Sequence, residues 1–120
     1  MSKKEIIIDG IKYVPEGESS QAVKVEGMEY VLVRTYSAGV HVGYLSKEKG
    51  KEVTLKKSRR IWYWDGANSL SQLAKDGVSK PQNCKFTVEV DEIRLKEAIE
   101  VIPCTAKAQE SINSVKVWSI

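Results

Sequence analysis

One histidine, two cysteines and no aliphatic run longer than three residues make this chain poor in the usual raw material of catalysis and membrane insertion. His41 stands alone in an alternating segment, with no Cys or acid at a spacing that would make it a metal ligand or a triad member. Cys84 and Cys104 are far apart, without the close spacing of a zinc site or a redox pair, and both are expected to be reduced thiols. Ile6-Ile7-Ile8 and Val31-Leu32-Val33 are too short to cross a bilayer, and the N-terminus lacks the charged-then-apolar pattern of a secretory signal, so a cytoplasmic protein is expected. Ser37 sits in Ser-Ala-Gly rather than in a nucleophile elbow, and Gly39 with Gly43 lacks the spacing of a phosphate loop. The acidic pairs Asp91/Glu92 and Glu97/Glu100 have no recognisable partner and are assigned to solvent. The expectation is therefore a protein that is not an enzyme and that carries no cofactor and no metal.

What is present is an ordinary globular composition. With 120 residues, 42% hydrophobic and 29% charged, the chain is expected to form a single domain over 1–120 with its own core. The net charge of +3 is unevenly spread. Between Arg34 and Trp64 eight basic residues face Glu48 and Glu52, giving +6 and leaving −3 elsewhere. Such a basic segment favours an anionic partner, although many charge runs are only solvated faces.

The densest stretch is Ser58-Arg59-Arg60-Ile61-Trp62-Tyr63-Trp64-Asp65-Gly66, with two guanidinium groups, three aromatic rings and a carboxylate in nine residues. Arg planes and aromatic faces hold nucleobases, and a guanidinium fork matches a phosphate. The same residues also suit a half-buried strand, whose alternation places Arg60, Trp62 and Trp64 on one face and Ile61 on the other.

Around this stretch the pattern predicts an α+β fold, a β-rich N-terminal antiparallel meander followed by two short helices. Ile6–Ile8 and Ile11–Val14 flank Asp9-Gly10, the signature of a type I′ hairpin within residues 1–15, and Pro15 to Gln21 reads as a polar loop. Residues 22–64 read as the meander, with extended runs at Val23–Val25, Glu29–Tyr36, Val40–Leu45 and Glu52–Leu55 before the aromatic stretch. Residues 65–120 read as an α/β C-terminal part. Ser69 caps a helix over Leu70–Asp76 that Gly77 stops, Phe86–Val90 alternates as a strand, and Thr105 caps a helix over Ala106–Asn113 before an extended Val115–Trp118. Residues 91–102 fit either a helical face (Ile93, Leu95, Ala98, Ile99, Ile102) or a strand. Pro103 disfavours helix just before it, which favours a strand for the second half.

With catalysis set aside, two modes of binding fit the basic aromatic segment. A small-nucleotide pocket would use Arg34, Arg59 and Arg60 for phosphate, Trp62 and Trp64 for stacking, and Asn83 for a base or ribose edge. A nucleic-acid surface would spread such groups along a groove, for which the net charge is small, so the pocket ranks first.

Several blocks of the chain resemble small phage and prophage proteins of unknown function: Val33-Arg34-Thr35-Tyr36-Ser37-Ala38-Gly39-Val40-His41, Arg59-Arg60-Ile61-Trp62-Tyr63-Trp64, Ser69-Leu70-Ser71-Gln72-Leu73, Asn83-Cys84-Lys85-Phe86 and Ile102-Pro103-Cys104-Thr105. In size and layout the chain is also similar to the phage Thoeris anti-defence sponges. That resemblance implies a homo-oligomer, a dimer or higher, in the bacterial host cytosol. Such a protein would sequester a cyclic nucleotide immune signal, of the cyclic ADP-ribose type or a cyclic oligonucleotide, without cleaving it. Two alternatives stay open: a protein–protein inhibitor or virion accessory protein with no small ligand, and a general nucleic-acid-binding protein. No membrane partner is expected.

Overall fold

The computed structural model describes residues 20–118 and, before them, the backbone of two paired segments, β1 (Ile7–Ile8) and β2 (Ile11–Lys12). These pair antiparallel with Ile8 opposite Ile11. The Asp9-Gly10 turn type, and residues 15–19 of the expected Pro15 to Gln21 loop, lie outside the described residues.

The main sheet is built from β3 (Tyr30–Thr35), β4 (Val40–Lys49), β5 (Glu52–Tyr63), β6 (Lys85–Phe86), β7 (Val90–Leu95) and β8 (Ala98–Pro103), all antiparallel. Between β5 and β6 lies helix α1 (Leu70–Asp76), and α2 (Ala106–Asn113) follows β8. The architecture is thus the α+β arrangement read from the sequence, a β meander followed by two short helices.

Strand order decides the shape. β8 pairs with β3, β3 with β4, β4 with β5, and β7 with the free side of β5. Lys96 and Glu97 alone join β7 to β8. In a flat sheet those two strands would be roughly 19 Å apart, four strand spacings, whereas three Cα steps reach only about 11 Å. The sheet therefore curls. At the corner, Tyr36 N donates to Glu97 O and Ala98 N donates to Lys51 O, both at 2.9 Å, so the end of β3 and the β4–β5 turn meet at one point. Val31, Val33, Val53, Leu55 and Leu95 fill the inside of the curl. The opposite face, with Tyr30, Leu32, Val42, Ile61 and Phe86, packs on Leu73 and Ala74 of α1 and Ala108 and Ile112 of α2.

A bulge in β5 sets which residues take which face. Val42 pairs with Arg59 and Tyr44 with Lys56, so the single residue Gly43 faces Lys57 and Ser58 together. Lys57 adopts a left-handed backbone (φ 50°). A side chain at Gly43 would meet Lys56 O at 3.0 Å and the Ser58 Cα and Cβ at 3.1 Å, so any larger residue there would require the backbone of the bulge to give way by a few tenths of an ångström. The extra residue rotates the strand, turning Ser58 and Arg60 to the inside of the curl and Arg59 to the helices.

The helix ends follow the sequence. Ser69 Oγ accepts from Gln72 N at 3.1 Å, and Gly77 (φ 78°) closes α1 with its N–H on Leu73 O. Thr105 Oγ1 accepts from Ala108 N at 3.0 Å to start α2.

One open choice is decided and two expectations need correction. Residues 91–102 contain no helix: Asp91 to Leu95 belong to β7, and Ala98 to Ile102 belong to β8, the strand favoured for the second half, because the edges of β5 and β3 supply the backbone partners that a helix would supply internally. Val23–Val25 is not a strand. It makes only a bridge from Val25 to Met28 across a tight turn at Glu26-Gly27, both with positive φ (54° and 79°). The alternating Phe86–Val90 run is broken, with Phe86 ending β6 and Val90 beginning β7.

Candidate functional site

On the C-terminal half of β5, alternation carries Arg60 and Trp62 to the same side, and Trp64 follows just past the strand end. These three, with Ile61, the Ser37-Ala38-Gly39 turn and Val40, line an open cleft of about 420 Å³, so Ile61, expected on the opposite face, borders the same cleft. No acidic side chain is among its lining residues. Arg60 and Trp62 are exposed, Trp62 by 63%. Trp64 is half-buried against the helix-side core, with its indole Nε1–H donated to Ala67 O at 3.2 Å. Its ring is thus held in one orientation, while that of Trp62 lies open.

Trp62 has a partner that the sequence did not suggest. Val117 forms a parallel bridge with Phe86, and Trp118 N donates to Phe86 O at 2.8 Å. This brings the Trp118 ring over Trp62, with centroids 6.4 Å apart and planes 8° from parallel. Lys85 Nζ lies 5.4 Å from the Trp118 ring centroid. The surface therefore carries two stacked indoles beside Lys85, with Arg60 two residues before Trp62 on the same strand. In the sequence Trp118 only ends the extended Val115–Trp118 segment, since nothing local reveals a parallel bridge from Val117 to a residue 31 positions earlier.

The other three candidate residues lie elsewhere. Arg34 is exposed and pairs with Glu100 of the adjacent strand, Nη1 to Oε1 at 3.5 Å. Asn83 closes a short 3₁₀ turn (Pro81–Asn83) and donates from Nδ2 to Asp65 Oδ2 at 2.9 Å, which ties that turn to the end of the aromatic stretch. Arg59 is buried on the helix side. Its Nε donates to Thr87 O at 2.9 Å, its Nη1 donates to Ile112 O at 3.2 Å, and the guanidinium carbon is 5.3 Å from the Phe86 ring centroid. Burial pushes the Arg59 pKa down.

Beneath Arg60 is a smaller cavity of about 130 Å³, lined also by His41, Ser58, Thr87 and three apolar residues. His41 Nε2 is 2.9 Å from Ala38 O and must carry the proton, because a carbonyl only accepts. Its Nδ1 is therefore an acceptor, buried without a partner, and Ser58 Oγ is buried without one as well. Burial, reinforced by the Arg60 charge, holds His41 below its ordinary pKa even though the Ala38 carbonyl pulls the other way.

The two thiols are free and buried. Burial pushes Cys104 up to about 12 and raises Cys84 as well. Both therefore stay protonated at neutral pH and are poor nucleophiles. Among the described residues, no group of three or more His, Cys, Asp or Glu gathers to hold a metal ion, and no helix is long and apolar enough to cross a membrane.

The family described as a domain of unknown function (DUF6948) matches residues 28–112, which takes in β3 through most of α2. No curated protein and no solved structure matches the chain.

Proposed function

Because the chain belongs to the DUF6948 family, whose description names no activity, we propose a function from the site itself: the protein binds a nucleotide in the Arg60–Trp62–Trp64 cleft and holds it without turnover. The observation that carries this reading is the joining of one exposed guanidinium and two indoles in a cleft without a carboxylate. A base stacks on an indole face, a phosphate takes the Arg60 fork, and a volume of about 420 Å³ lies within the range of small-ligand pockets. No nucleophile and base are paired at the cleft, so the reading is one of sequestration. The likeness to phage anti-defence sponges makes a cyclic nucleotide, of the cyclic ADP-ribose type or a cyclic oligonucleotide, the first ligand to try, and a homo-oligomer the expected form.

Calorimetry against a panel of cyclic and linear nucleotides tests the proposal. Saturable heat with at least one of them, lost in Arg60→Ala and Trp62→Ala, is the expected result. A folded sample that gives neither heat nor a thermal shift with any member rules it out.

One observation favours a second reading. Trp62, Tyr63, Val117 and Trp118 are all exposed, and aromatic patches of this kind anchor protein partners. A protein–protein inhibitor would bind its target through these residues and ignore nucleotides. A nucleic-acid binder would use them too, and would show an affinity that falls steeply with salt.

A further inference from the structure

On the face of β5 opposite the Arg60 cleft, the buried guanidinium of Arg59 is incompletely satisfied. The residue is only 8% exposed. Two of its nitrogens bond backbone carbonyls, and Nη2 is buried with no hydrogen-bond partner. No carboxylate lies within ion-pair distance of it among the described residues. The Ile112 carbonyl, in the last turn of α2, offers the partial negative charge of a helix C-terminus, which is less than a full counter-charge. A buried cation in this state calls for an anion.

The surroundings supply a place for one. Arg59 lines a cavity of about 210 Å³ together with Tyr30, Tyr44, Lys57, Glu89 and Asn113. Several water volumes fit, since one water occupies about 30 Å³ in the liquid. Its lining is rich in donors. Tyr30 is buried, and burial raises its phenol pKa, so the hydroxyl keeps its proton. Tyr44 Oη accepts from Gln109 Nε2 at 2.7 Å, which leaves its own proton to be donated. The Tyr30 and Tyr44 rings meet edge to face, with centroids 5.1 Å apart, and so hold the hydroxyls in place. The Lys57 ammonium and the Asn113 amide stand at the exposed rim, and the left-handed bulge at Lys57 brings that residue beside Arg59. The one acid in the lining, Glu89, is exposed and leaves the pocket with one positive charge.

We propose that this pocket is an oxyanion site that takes a phosphate group, with Arg59 Nη2 and the two tyrosine hydroxyls as its floor and Lys57 as its rim cation. The site stands independently of the nucleotide cleft, because the two share no lining residue. The phosphate group has two sources, the free inorganic ion and a phosphomonoester.

The test is calorimetry and thermal denaturation with inorganic phosphate and with phenyl phosphate, each compared with chloride at equal ionic strength. Lys57→Gln and Glu89→Gln change exposed side chains and leave the core intact. The expected result is stabilisation by phosphate beyond that by chloride. Lys57→Gln weakens phosphate binding roughly threefold to tenfold, Glu89→Gln tightens it by a similar factor, and Arg34→Gln, which changes an exposed arginine that lines neither the pocket nor the cleft, leaves it unchanged. Binding of phenyl phosphate at least as tight as that of the free ion assigns the site to monoesters, and binding of inorganic phosphate alone assigns it to the free ion. Stabilisation no greater than with chloride, or equal phosphate affinity in the wild type, Lys57→Gln and Glu89→Gln, overturns the proposal.

Discussion

Arg59 and Arg60 stand side by side in the chain and on opposite faces of β5. Arg59 Nη1 reaches Ile112 O of α2 at 3.2 Å, while Arg60 lies in the open beside Trp62. The bulge at Lys57-Ser58 produces the difference, since one extra residue decides which guanidinium turns towards the helices. Two residues of one type, one step apart, thus have different energetic roles.

Those roles separate in a stability measurement. Arg59→Ala removes the donors to Thr87 O and Ile112 O and opens a gap beside Phe86, and its expected cost is about 2–4 kcal/mol. Arg60→Ala changes an exposed side chain and is expected to stay within about 0.5 kcal/mol of the wild type. Urea denaturation of the two variants compares them directly. Equal losses would mean that Arg59 is not the buried member of the pair.

The buried His41 gives the fold a pH dependence. Its Nδ1 has no partner, and burial beside Arg60 keeps the ring neutral to a lower pH than in the unfolded chain. The unfolded state therefore takes up the proton first as the solution is acidified. The contribution from His41 is full above the unfolded pKa of about 6.5 and declines as the pH drops below it. Urea midpoints at pH 7.5 and pH 5.5 are expected to differ more in the wild type than in His41→Gln. An unchanged difference in the variant would place the titration on another group.

Thr105 couples the two helices through a single hydroxyl. Its Oγ1 accepts from Ala108 N at 3.0 Å, capping α2, and donates to Lys75 O at 2.5 Å in the last turn of α1. Its backbone N–H donates to Ala74 O at 3.0 Å. Thr105→Ala is expected to cost about 1–2 kcal/mol, and Thr105→Ser, which keeps the hydroxyl, less than half of that. Thermal denaturation of both variants checks the ordering.

The caps were legible because they are local: Ser69, Gly77 and Thr105 act within a few residues of their own position. The strands were legible wherever alternation was regular, as in Tyr30–Thr35. Residues 91–102 were ambiguous because Ile93, Leu95, Ala98 and Ile102 satisfy a helical period as well as they satisfy two strands. Only the unpaired edges of β5 and β3, distant in sequence, decide between the two. The site was partly legible for the same reason. Simple alternation groups Arg60, Trp62 and Trp64 and sets Ile61 apart; the three do share a cleft, but Ile61 lines it too and Trp64 packs on the same core cluster as Ile61, past a register shift between Ile61 and Tyr63. Arg34, Arg59 and Asn83 were grouped with them by chemistry alone, and their partners Glu100, Ile112 and Asp65 lie 66, 53 and 18 residues away. Nor could alternation foresee the pocket around Arg59, which gathers Tyr30, Tyr44 and Asn113 from three separate elements.

The stacked pair Trp62 and Trp118 distinguishes a binding surface from a structural clasp. If the rings serve mainly to fasten the C-terminal segment to β6, removing either one loosens that segment. If they serve as a platform, removal chiefly weakens ligand binding. The exposure of Trp62, 63%, argues that little burial is lost with its side chain. A double-mutant cycle of Trp62→Ala and Trp118→Ala is expected to give a coupling of about 0.5–1.5 kcal/mol in stability, the range for aromatic pairs. Near-UV circular dichroism is expected to change in both single variants by a similar amount, because one coupled pair of indoles is lost in each. For a nucleotide that binds the wild type, Trp62→Ala is expected to lose about 1–3 kcal/mol of affinity, the contribution of stacking one base. A stability loss well above the coupling energy, together with unchanged nucleotide affinity, would assign Trp62 to holding the fold and would leave the cleft to Arg60 and Trp64.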